Sequence, residues 1–82
     1  MNELLTKAKD LLKGELTSIS YETWIKTLEI ESMTDSKIVL KANSDVQMDT
    51  INTRYHDLIV NTFAEITKKY YEISCVLEST KD

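Results

Sequence analysis

The sequence of 82 residues has no proline, one glycine, one cysteine and one histidine. Each scarcity removes a class of function. Without proline, and with a single glycine, the chain has no flexible linker and no glycine-rich loop to cradle phosphate. One cysteine makes no internal disulfide and no thiolate metal site, so a reducing, cytoplasmic compartment is the simplest expectation. One histidine leaves too few ligands for zinc. Cations are short as well: 10 lysines and arginines face 14 acids, a net charge of −4. A module held to nucleic acid by phosphate contacts carries a basic face, so sequence-specific nucleic-acid binding is disfavoured. No apolar run approaches the roughly 18–20 residues of a membrane span, and no signal-peptide pattern is present.

What is present suits a single domain over residues 1–82. A chain of this length buries about 60–65% of its unfolded surface, enough for one core and too little for a deep catalytic cleft. Asn2 reads as the cap of a first helix, with Glu3 in its first turn. Leu4, Leu5, Ala8, Leu11 and Leu12 then recur at three- and four-residue steps, and Gly14 reads as its left-handed stop. A short second helix is expected after Thr17 or Ser18, ending near Thr27, with Ile19, Trp24 and Ile25 as its buried stripe and Tyr21 beside them.

From Leu28 the period changes to two. Leu28 and Ile30 alternate with Glu29 and Glu31, and after a turn at Thr34-Asp35-Ser36 the residues Ile38, Leu40 and Ala42 alternate with Lys37, Val39 and Lys41. That pattern is a hairpin, its outward acids facing outward lysines. Ser44 is the expected cap of a long helix, marked by Met48, Ile51, Tyr55, Leu58, Ile59, Phe63 and Ile66. It would run about 25 residues, to Lys69. A last strand follows, with Tyr71, Ile73, Cys75 and Leu77 on one side. The expected fold is therefore α+β, in the order α-α-β-β-α-β, with a small three-stranded sheet packed against helices. The topology is KH-like but has no G-x-x-G loop.

No catalytic constellation stands out. His56 sits beside the stripe of the long helix and reads as a solvated histidine. Cys75 alternates with Ile73 and Leu77, as a small buried hydrophobe does. No serine or threonine is paired by motif with a base, and no cofactor is implied. An interaction module is the class that remains.

The run Glu15-Leu16 through Ser20-Tyr21-Glu22-Thr23-Trp24-Ile25-Lys26-x-Leu28 resembles the N-terminal domain (domain I) of the bacterial replication initiator DnaA. That family leads from an E/K-L segment into an aromatic-x-x-Trp-hydrophobic-basic motif. Thr53-Arg54-Tyr55-His56-Asp57-Leu58-Ile59 is similar to its basic-Tyr-x-x-x-Ile segment. Glu65-Ile66-Thr67 with Tyr71-Glu72-Ile73 is similar to its closing helix and strand. The likeness runs from about residue 3 to residue 78. The chain departs where the family has Ala-Pro-Asn, here Ala42-Asn43-Ser44. Val46 and Thr50 stand where that family carries a large aromatic and a tryptophan, and Leu4 or Leu5 replaces an early aromatic.

The resemblance implies a non-catalytic adaptor in replication initiation. Its expected partners are the replicative helicase or initiation regulators, met by Tyr21, Thr23, Trp24, Ser44 and Val46. Weak self-association is expected through Leu5, and at most weak contact with single-stranded DNA. A different reading is a stand-alone single-stranded nucleic-acid-binding or regulatory protein of the same fold.

Overall fold

A computed structural model describes residues 3–78. The expected cap at Asn2 lies outside the described residues. Helix α1 (Glu3–Glu15) is followed by a short α2 (Ser18–Ser20), which passes without a break into a π-helical segment (Tyr21–Ile25). Strands β1 (Glu29–Met33) and β2 (Lys37–Ala42) form the hairpin; then come α3 (Asp45–Thr53), α4 (His56–Thr67) and β3 (Glu72–Leu77). The sheet order is β1-β2-β3, antiparallel between β1 and β2 and parallel between β2 and β3.

The alternation read in β2 holds: Ile38, Leu40 and Ala42 are buried. They meet Ile73 and Cys75 of β3, and behind them Ala8, Leu12, Ile51, Ile59 and Phe63 complete the core. The hairpin turn is tied at Thr34, whose hydroxyl accepts from Ser36 N at 3.3 Å and Lys37 N at 3.1 Å. Across the hairpin Glu29 pairs with Lys41 at 3.3 Å. Both side chains face water, so the pair contributes at most a fraction of a kcal/mol. A bulge between Ile30 and Ser32 leaves Glu31 without a cross-strand partner and twists this outer strand.

Four sequence expectations need correction. Gly14 does not stop α1; it lies inside the helix, and no glycine has positive φ. The stop instead comes at Leu16, whose N–H still reaches Leu12 O at 3.0 Å before Thr17 turns extended and caps the next helix. Ile19 is not buried but 79% exposed. The buried face belongs to Tyr21 and Ile25, four residues apart, and Ile19 sits two residues from Tyr21, about 200° away around a helix.

The expected α+β order of helices and strands holds, but the long third helix is broken in two, as α3 and α4. At the break Tyr55 adopts φ −106° and ψ 4°, and its N–H reaches back to Thr50 O at 3.2 Å. The run Asn52-Thr53-Arg54-Tyr55-His56 is poor in strong helix formers, and the Thr53 hydroxyl bonds Asp49 O at 2.8 Å, a pattern that bends helices. Finally, Leu77, expected on the inward side of β3, is 42% exposed at the end of the strand.

Candidate interaction surface

The surface is built where the π-helical segment meets the start of α3. Thr17 caps the short helix, its hydroxyl accepting from Ser20 N at 3.1 Å. The wide turn that follows closes with Lys26 N donating to Tyr21 O at 2.9 Å. Tyr21 and Ile25 point into the core, Trp24 is half-buried, and Thr23 is exposed. Ile19, one turn before Thr23, adds an exposed aliphatic side chain to that outward face.

On the facing element Ser44 caps α3 as expected, its hydroxyl accepting from Gln47 N at 3.1 Å. Val46, in the first turn, is 64% exposed above an open depression lined by Asp45, Met48, Asp49 and Thr50. The two halves are joined by Gln47, which is only 3% exposed. Its Nε2 donates to Trp24 O at 2.9 Å and to Thr27 Oγ1 at 3.1 Å. Its Oε1 accepts from Asn43 N at 2.9 Å. Thr23, Trp24, Ser44 and Val46 are thereby held on neighbouring elements. Tyr21 supports them from beneath, and Leu5 stands apart, half-buried on α1.

Two contributors escaped sequence reading. Ser44-Asp45-Val46-Gln47 carries the S-x-x-Q signature of a capping box, which points to Gln47 as a capping partner. Its reach to Trp24 has no signature in the chain. Ile19 is apolar like its buried neighbours Tyr21 and Ile25, and residue type alone does not mark it as exposed.

Elsewhere the single histidine and cysteine have structural partners. His56, expected to be solvated, is half-buried at the start of α4, and its Nε2 bonds Ile73 O at 3.0 Å. Cys75 is 4% exposed, as its alternation implied, and burial pushes its thiol up to about 11. A thiol held protonated is a poor nucleophile and a poor metal ligand. Lys9 donates to Lys26 O at 2.7 Å; burial lowers the pKa of its ammonium, and Glu29 opposes that shift. Among the described residues, no group of three or more His, Cys, Asp or Glu is placed to hold a metal ion, and no helix is long and apolar enough to cross a membrane.

An exposed apolar surface on two tied elements, carried by a small α+β sandwich, defines a protein-interaction domain. Residues 2–65 match the model of the DnaA N-terminal domain. The chain belongs to that family, the interaction domain of bacterial replication initiators. The fold is also similar to that in a crystal structure of a HobA–DnaA (domain I–II) complex from Helicobacter pylori. The TM-score is 0.75 at 18% sequence identity, over 94% of this chain and 99% of that one.

Proposed function

We propose that the chain docks a replicative helicase or an initiation regulator through Thr23, Trp24, Ser44 and Val46, with Tyr21 as their support. The observation that carries this reading is the pairing of exposed Val46 with half-buried Trp24 across the Gln47 junction. Half-buried tryptophans ringed by smaller apolar contacts are common anchors in interfaces. Ile19 extends the same face. The π-helical turn beneath it is a rare conformation that recurs at functional sites. The solved relative was captured with HobA, which supports partner docking by this fold. Leu5 on α1 is the proposed point of weak self-association.

The test is a titration of the purified replicative helicase of the same host with the wild-type chain, T23R and V46D. Both positions are exposed, so the circular dichroism spectrum should be unchanged while affinity falls about tenfold or more. Unaltered binding by both variants overturns the proposal. Sedimentation of L5S should show less self-association than the wild type at equal concentration. A single-stranded oligonucleotide titrated at low and moderate salt separates the other class: tight binding that falls steeply with salt would favour a nucleic-acid role.

A further inference from the structure

The short second helix has little stability of its own. Three α-helical residues and one π turn are far below the length at which a helix holds itself together in water. Its placement must come from other elements, and its last carbonyls show which ones. Lys26 O accepts from the Lys9 ammonium of α1 at 2.7 Å, and Trp24 O accepts from the Gln47 amide of α3 at 2.9 Å. Lys9 joins this helix to α1, which carries none of the four proposed docking residues. Gln47 lies between the two halves of the surface.

We infer that Gln47 is a positioning residue: it locks the Trp24 turn to the entry of α3, so that the partner meets one preorganised surface instead of two independent ones. This rests on the docking reading above.

The choice of side chain is what makes the assignment specific. A residue at the third position of a helix completes a capping box with an acceptor alone, and glutamate does this as well as glutamine. Here the acceptor Oε1 reaches one residue past the Ser44 cap, to the Asn43 N–H, and that half of the work likewise needs only an oxygen. The other half needs donors, because its targets are the Trp24 carbonyl and the Thr27 hydroxyl. Only a carboxamide supplies both from one planar group. With the side chain 3% exposed, water does not readily replace either bond. A surface fixed before contact loses less conformational freedom on binding, which raises affinity without adding a contact.

Gln47→Glu therefore separates the two roles. It keeps the acceptor at the helix entry, where negative charge is favoured, and sets an oxygen against the Trp24 carbonyl. Gln47→Leu removes both roles at similar volume. Each variant of the 82-residue chain is compared with wild type by amide hydrogen exchange, by residual dipolar couplings and by titration of the host's replicative helicase. In Gln47→Glu the Asn43 amide should stay protected. The Tyr21–Ile25 amides should no longer share one alignment with α3, and helicase affinity should fall about tenfold.

Couplings that still fit one rigid body in Gln47→Glu would overturn the inference. So would decoupled segments with unchanged helicase affinity. If Gln47→Leu does not fold, Gln47→Glu carries the test. If the wild-type chain binds no helicase, the docking reading fails, and the couplings still decide whether Gln47 positions the turn.

Discussion

Gln47 and Asn52 lie five residues apart on α3, and each uses its carboxamide to hold backbone 23 residues away. Five residues turn a helix by about 140°, so the two amides reach into different neighbourhoods. Gln47 is buried and joins the second helix to the entry of α3. Asn52 reaches the outer edge of β3, where its Nδ2 donates to Cys75 O and its Oδ1 accepts from Cys75 N, both at 2.9 Å. With His56 bonding Ile73 O, it occupies strand groups that would otherwise be open to another chain. Asn52 and His56 are four residues apart, flank the break between α3 and α4, and both bond to this edge. One amide therefore ties two elements at the proposed docking surface, and the other occupies backbone groups along a strand edge.

The comparison breaks most visibly at Gln47. Gln47→Leu strands the Trp24 carbonyl, the Thr27 hydroxyl and the Asn43 N–H, and should cost about 2–3 kcal/mol in urea unfolding. A loss below about 1 kcal/mol would mean that water reaches those groups, and the contrast between a buried and an edge amide would collapse.

Next in size is the titration of Cys75, whose backbone Asn52 holds. The thiol is raised from 9.0 to about 11 by burial. Below pH 9 both folded and unfolded chains keep the proton; between 9 and 11 only the folded chain does. Stability is therefore fully present below 9 and lost as pH rises through 11, by about 2 kcal/mol in all. Lys9 works in the opposite sense, because its lowered pKa adds stability as pH approaches 10.5. The readout is thus the difference in melting temperature between wild type and Cys75→Ala from pH 8 to 11, which should shrink as pH rises. A constant difference would show that the thiol does not feel the core.

Asn52→Ala should cost less, about 1–1.5 kcal/mol, because this amide is at a more exposed place and water can serve the strand. The local effect should be sharper than the global one. Exchange at the Cys75 amide should accelerate while the Tyr21–Ile25 segment stays unchanged. If both segments loosen together, α3 acts as one cooperative unit and the two joints are not separable.

How far the sequence disclosed these joints follows from what each depends on. The strands were legible because Ile38, Leu40 and Ala42 must alternate to bury one face, and the motif around Trp24 was legible because it resembles a family. The cap at Ser44 has a local signature as well. The break at Tyr55 had none in the hydrophobic pattern, since Ile51, Tyr55 and Ile59 keep helical spacing on both sides of it. Gln47, Asn52 and His56 bond to residues 17 to 23 positions away, and no local pattern encodes such partners. Of the residues named from resemblance, those expected at a partner lie on neighbouring elements and Leu5 stands apart on α1, but the tie through Gln47 was visible only in the folded chain.

The smallest effects set the baseline for the rest. The single glycine sits inside α1, where a methyl group would meet nothing within 4 Å, whereas the left-handed residue that ends α4 is Lys68, at φ 63° and ψ 29°. The residue suited to a left-handed cap is thus spent in a helix, and a lysine takes the strained place. Gly14→Ala and Lys68→Gly should each stabilise by about 0.5–1 kcal/mol, the first through helix propensity and the second by relieving strain. Neither position touches Gln47 or Asn52, so the two gains should add, raising the melting temperature by several degrees. Exchange at Asn43 and Cys75 should then slow by the same factor, if both joints open only with the whole fold. Unequal slowing would show that one joint opens locally, and would identify which of the two amides is the weaker seam.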